Sequence, residues 1–201
     1  MEHFQKLVLA SASPRRQDML ALSGIPFEVI VSNIEELPRP EESGYEYVLR
    51  NAQEKALAVA QNVPANTPIL SADTIVLTQA GHILEKPRDA LHAKEMLQSI
   101  SGDFHLVLSG YALFLGTKEL VSRVVETKVY FRDLSAEEIE AYIQTKEPFD
   151  KAGAYGIQGH AMGFVDHIEG NYTNVMGLPL SQVIGDLKKF FAITPFTGVV
   201  V

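Results

Sequence analysis

The chain has 201 residues, 46% apolar and 21% charged, with a net charge of −8 and no cysteine. That size supports one domain with a sizeable core, in one or two lobes. The charge argues against a general nucleic-acid binder, the missing cysteine excludes disulfides, thiolate catalysis and cysteine-ligated zinc, and no apolar run approaches membrane-spanning length.

Met1–Lys6 lacks the apolar stretch of a signal peptide, so a cytoplasmic location is the default expectation. Leu7–Ala10 is a short apolar run suited to a buried strand. Ser13 and Pro14 form a helix start, a hydroxyl N-cap followed by proline at the first helical position. The helix carries Met19, Leu20 and Leu22 inward and stops near Gly24, with Pro26 beyond. Arg15 and Arg16 in its first turn are unfavourable beside the helix dipole unless an anion sits on them. Strand, small-residue turn, helix N-terminus and paired arginines therefore describe a phosphate site. The alternative is two solvated arginines on an exposed turn.

Phe27–Val31 reads as a second strand, followed by an acidic loop through Glu35 and Glu36. Two carboxylates there suit a divalent cation, or else a solvated loop. A long helix starts near Ser43, with Val48, Ala52, Ala56 and Val59 as its buried stripe. Lys55 flanks that stripe, either reaching over the core edge or snorkelling to solvent. Pro68–Leu77 reads as a core strand interrupted by Asp73 and Thr74. A carboxylate inside such a strand is costly unless paired or metal-bound, which favours a functional Asp73.

A short strand, His82–Leu84, precedes Lys86, which Pro87 keeps out of helix. Lys86 is a second candidate phosphate contact, or a surface lysine. Asp89 caps a helix with Leu91, Met96, Leu97 and Ile100 inward, ending at Ser101-Gly102. Phe104–Leu115 and Glu119–Arg132 read as a long hairpin. Ser135–Glu138 is a capping box opening a helix through Ile143. The run Glu147–Gly159 has glycines every three residues, which permit close approach of backbone to a ligand. Gln158 is its one side chain able both to donate to and accept from a base edge. The last helix has Val183, Ile184, Leu187, Phe190 and Phe191 as its inner stripe, and Thr194–Val201 is a loose tail. The six histidines form no metal-ligand spacing, so His105 and His160 read as structural or surface residues.

Six segments, in order, resemble the Maf family of nucleoside triphosphate pyrophosphatases. They are Ser11-Ala12-Ser13-Pro14-Arg15-Arg16, Ser71-Ala72-Asp73-Thr74, Glu85-Lys86-Pro87, Ser101-Gly102 with His105, Asp150 to Gly159, and Val175-Met176-Gly177-Leu178-Pro179. The resemblance covers nearly the whole chain. It implies a single α/β domain over residues 1–201, with an elongated mixed sheet and a deep cleft between two lobes, similar to the inosine triphosphatase-like enzymes. It further implies a homodimer that cleaves a nucleoside triphosphate between the α and β phosphorus atoms, with magnesium or manganese. Under it, Asp73 is the general base and also a metal ligand with Glu35. Arg15, Arg16, Lys55 and Lys86 hold phosphates, with Ser13 in the same substrate-binding set. Arg15, Thr74 and Gln158 match the branch acting on dTTP and UTP, with modified pyrimidine nucleotides as further candidates. The branch that takes 7-methyl-GTP departs from the wording Ala-Gly-Ala-Tyr-Gly-Ile-Gln-Gly. A rival of another class is a nucleotide-binding regulator of cell division, which needs no catalysis. Asp73 and Glu35 argue for chemistry, because a pure binder would avoid carboxylates facing phosphates. The helix signature of Nudix hydrolases is absent.

Overall fold

The computed structural model describes residues 6–196. Its apolar runs form the strands β1 Leu7–Ala10, β2 Phe27–Val29, β3 Pro68–Leu77, β4 Ile83–Leu84, β5 Phe104–Leu115, β6 Lys118–Phe131 and β7 Val165–Glu169. They make one sheet in the order β2-β1-β3-β5-β6-β7, with β4 on β3. β1 is parallel to β2 and β3, whereas β4 is antiparallel to β3 and β7 to β6. The helices are α1 Pro14–Leu22, α2 Gly44–Ala60, α3 Ala90–Ile100, α4 Ala136–Gln144, α5 Tyr172–Val175 and α6 Leu180–Phe191. The mixed α/β class expected from the sequence is the class observed. Among the described residues, no helix is long and apolar enough to cross a membrane.

The chain divides into two compact units, one of residues 1–73, 109–125 and 177–201, the other of 74–108 and 126–176. In the first, α2 buries Ala52, Ala56, Val59 and Ala60 with Val8 and Ala10 of β1, Ile69 of β3, and Ala112 and Phe114 of β5. Small alanines let the helix lie close to the strands. The contact is so close that a Cβ on Gly110 of β5 would strike the backbone of Val48. Ser43 opens α2 with a capping box, its hydroxyl accepting from the Glu46 N–H while the Glu46 carboxylate accepts from the Ser43 N–H.

Four sequence expectations about these elements need correction. The buried face of α1 is Arg16, Met19 and Leu20 at i, i+3 and i+4, so Leu22 falls off it and is 80% exposed. In α3 the face is Ala93, Met96, Leu97 and Ile100, which leaves Leu91 exposed. In α6, Asp186 stands in the inner stripe with Val183, Leu187 and Phe191, whereas Ile184 and Phe190 are half-buried. β2 also stops at Val29, because the last residue of β1 paired with it, Leu9, already faces Val29. Of the expected terminal segments, Met1–Gln5 and residues 197–201 lie outside the described residues, while the Phe196 N–H donates to Ser23 O at 2.8 Å.

In the second unit, α3 and α4 close a core with Val107, Val129 and Phe131. His105 is wholly buried there, its Nε2 2.8 Å from the Tyr155 hydroxyl and its ring edge-on to Phe131. Burial holds its pKa down to about 3, so the ring is neutral near pH 7.

Asp186 explains its own place in α6. Its carboxylate accepts from the buried Tyr111 hydroxyl at 2.7 Å and from Arg123 Nε and Nη2 at 2.8 and 3.3 Å. The Arg123 donors, chiefly, hold its pKa below the usual aspartate range. A depressed carboxyl contributes stability above its unfolded pKa and loses it as pH falls through the folded one. Asp186→Asn should therefore cost about 1.5–3 kcal/mol in urea unfolding at pH 7. The difference from wild type should shrink below about pH 4.

Candidate active site

The first unit brings together four charged side chains from separate stretches of sequence. β1 delivers the chain to Ser11, whose hydroxyl accepts from the Ser13 N–H and from Arg16 Nη1, each at 3.2 Å. Pro14 then starts α1, and Ser13 has the extended backbone of an N-cap but no capping bond from its side chain. Arg16 points inward. It is buried, and its Nε donates to Gly177 O at 2.8 Å. Arg15 is half-buried and makes no hydrogen bond or ion pair among the described residues. The two arginines that look alike in sequence are thus distinct, one anchored and one available.

β3 supplies the centre. Asp73 is 6% exposed on a strand whose neighbours Ser71 and Ala72 are fully buried. α2 faces it with two residues one turn apart. Asn51 Nδ2 donates to Asp73 Oδ2 at 3.0 Å, and Lys55 Nζ donates to Oδ1 at 2.9 Å. The same Lys55 ammonium donates to Glu36 Oε2 at 2.8 Å. Lys55 is therefore buried between two carboxylates, which rules out the snorkelling alternative. Glu36 is itself held by its backbone, since its O accepts from the Tyr47 hydroxyl at 3.1 Å, and the neighbouring Leu37 O accepts from Arg50 Nη2 at 3.0 Å. Arg50 also donates to Asn51 Oδ1 at 3.2 Å and is gripped by Glu42 and Glu54. A continuous set of bonds thus runs from Glu42 and Glu54 through Arg50 and Asn51 to Asp73.

The electrostatics separate the two acids. Burial pushes the Asp73 carboxyl up, but Lys55, Arg16 and the Asn51 amide outweigh it and hold Asp73 below the usual aspartate range. Burial raises Glu36, the neighbouring Asp73 carboxylate adds to this, and Lys55 opposes both without cancelling them. The two carboxyls therefore shift in opposite directions, Asp73 down and Glu36 up. Desolvation lowers the pKa of Arg16, opposed by Asp73 and Glu36. Two anions and two cations leave the cluster close to neutral, so an entering polyanion needs further positive charge.

The sequence reading placed the second acid at Glu35. Glu35 and Glu36 are both exposed, and it is the Glu36 carboxylate that meets Lys55 beside Asp73. Thr74 follows Asp73 on β3 and is half-buried. In the second unit, Lys86 is exposed in the link after β4, and Gln158 is exposed between Gly156 and Gly159. Asn51 escaped the sequence reading, although a polar residue next to the Val48–Ala52 stripe and one turn before Lys55 was the available signal. Among the described residues there is no group of three or more metal-ligating side chains. The Asp73 and Glu36 carboxylates are nonetheless hard oxygen donors, and magnesium commonly takes one or two carboxylates and completes its shell with substrate phosphates and water.

A family model described as Maf-like protein matches residues 6–190. The chain is 49% identical over 187 residues to the dTTP/UTP pyrophosphatase of Salmonella typhimurium (strain LT2), covering 93% of this chain and 94% of that one. It is 47% identical over 189 residues to the dTTP/UTP pyrophosphatase of Bacillus cereus (strain ATCC 10987), covering 94% and 92%. Among solved structures it is similar to a HAM1 protein from Coxiella burnetii, with a TM-score of 0.48, 12% identity, and coverage of 91% and 100%.

Removing one partner from a buried ion pair costs more than the pair contributes, because a charge is left uncompensated. Lys55→Met should lower stability at pH 7 by about 3–5 kcal/mol in urea unfolding. Adding Glu36→Gln should restore part of it, since one of the two facing carboxylates is then neutral. Equal stability of the single and double variants would show that the carboxylates do not interact.

Proposed function

The chain belongs to the Maf-like family, and from that membership we propose that it is a nucleoside triphosphate pyrophosphatase. Its substrates on this reading are dTTP and UTP, and its products the monophosphate and pyrophosphate. The observation that carries the reading is Asp73, a buried carboxylate kept ionised on a core strand by Lys55, Asn51 and Arg16. Nothing in the packing of β3 requires a charge there, and burying one is costly.

In this reading Asp73 accepts a proton from the attacking water while the water oxygen bonds to the α phosphorus. The bond from that phosphorus to the oxygen bridging α and β breaks, and pyrophosphate leaves. An aspartate with a depressed pKa is a weak base toward bulk water. A divalent magnesium or manganese ion, held by Asp73 and Glu36, would supply the Lewis acidity that makes a water acidic enough. Lys55 donates to both carboxylates at once. Arg16 is fixed by Ser11 and Gly177, so its charge is oriented before substrate arrives. Arg15 is the available guanidinium for the phosphates, with Ser13 in the same turn and Lys86 as a further cation. Thr74 and Gln158 are assigned to the base. A triphosphate brings about four negative charges to an acidic protein, and stabilising phosphoryl transfer is largely a matter of neutralising them in place. We extend the reading to one domain of two lobes, acting as a homodimer in the cytoplasm.

Asp73→Asn removes the proton acceptor and keeps the shape of the side chain. The variant should lose about 10²–10⁴-fold in kcat on dTTP, with an unchanged circular dichroism spectrum. Wild type should release pyrophosphate and dTMP with magnesium and neither with a chelator. Orthophosphate as the only inorganic product would contradict cleavage between α and β, and tight dTTP binding without turnover would favour a regulator.

A further inference from the structure

The glycines of the run Glu147–Gly159 suggested, from sequence, room for a ligand against the backbone. All three have a neighbour from the chain itself, Gly153 from Val76 and Gly156 and Gly159 from the loop's own side chains. The Glu147 side chain is 13% exposed and turns into its own loop. Its Oε1 accepts from the Tyr142 hydroxyl at 3.0 Å. Its Oε2 accepts from the His160 N–H at 2.9 Å and lies 2.6 Å from His160 Nδ1. Glu147 O accepts from Lys151 Nζ at 2.9 Å, and the Gly159 N–H closes a turn on Gly156 O at 3.0 Å. A Cβ on Gly159 would strike the Glu147 carboxylate, and one on Gly156 would come within 2.6 Å of Lys151 Cε. One carboxylate therefore grips both ends of the loop, and the two glycines make room for that grip. Between them Ile157 packs on the core and Gln158 is exposed at the tip.

We propose that Glu147 is a positioning residue that sets base preference by fixing the turn that presents Gln158. The inference rests on the reading above, in which the enzyme cleaves pyrimidine nucleoside triphosphates and Gln158 meets the base edge. A carboxamide discriminates only when its N–H₂ and C=O each face a matching group, and a shift of about one ångström forfeits that match. The carboxylate suits the task because it accepts from three converging donors on two oxygens. Glutamine has one acceptor oxygen, so it can keep part of this arrangement and not the whole. Glu147 itself touches no reacting atom.

The test compares Glu147→Ala and Glu147→Gln with wild type in the full-length enzyme, measuring kcat and KM for dTTP and for dATP alongside the thermal midpoint. Glu147→Ala should lower the ratio of kcat/KM for dTTP over dATP by about tenfold or more. The loss should fall mainly on KM for dTTP, with dATP turnover within about threefold of wild type. Glu147→Gln should lie between. A purely structural role would lower both substrates together, and equal losses or an unchanged ratio overturn the inference. Should Glu147→Ala fail to fold, Gly159→Ala, which drives a methyl group at the same carboxylate, carries the same ratio test. A wild-type enzyme with no preference for dTTP overturns the functional reading and this inference with it. A preference that survives in the variants overturns this inference alone.

Discussion

A single ammonium between two carboxylates governs the site. Lys55 reaches Asp73 and Glu36 at 2.9 and 2.8 Å, and everything around it is arranged to make that contact. The alanine face of α2 brings the helix close enough to β3 for a lysine to span the gap. The Tyr47 hydroxyl and Arg50 hold the backbone beside Glu36. Without the lysine, the buried Asp73 carboxylate and the more exposed Glu36 carboxylate would face each other with no shared counter-ion and would repel. With it, Asp73, which Arg16 and the Asn51 amide also favour as the anion, is held below the usual aspartate range, while burial and the Asp73 charge keep Glu36 above the usual glutamate range.

The two units solve different physical problems. The first carries charge in its interior and must keep it paired, which it does with two side-chain bonds from α2 onto one strand residue and with the Arg16 charge from α1. The second carries a neutral buried histidine in an aromatic core and a turn-rich loop closed by one glutamate. Precision in the first comes from electrostatic pairing against a rigid sheet. In the second it comes from hydrogen bonds within a loop, where the backbone alone would not hold a shape.

Much of this was legible in the sequence, for identifiable reasons. β3 was found at its observed bounds because Pro68 opens it and its apolar run is continuous. The Ser135 capping box, the helix start at Ser43 and the Asp89 cap were legible because capping is local chemistry. Leu22 and Leu91 were misplaced because a leucine near a helix end was assumed to lie on the buried face, whereas helical geometry puts each of them off it. Asp186 was unreadable, since its stabilising partners Tyr111 and Arg123 lie more than sixty residues away in sequence. Glu35 and Glu36 are adjacent in a loop without periodicity, so only the fold could say which of them turns toward Lys55. Asn51 was passed over because an amide on a helix has no partner until the strand beneath it is known.

The ionisation order of the two carboxylates is the point on which the account turns. Site-resolved carbon-13 NMR of the side-chain carboxyls, followed through an acid titration of the metal-free protein, reads it directly. Glu36 should take up its proton above the ordinary glutamate range, while Asp73 stays ionised to below the ordinary aspartate range. Asp73 protonating first, or both titrating at ordinary values, would contradict the pairing on which the site is built.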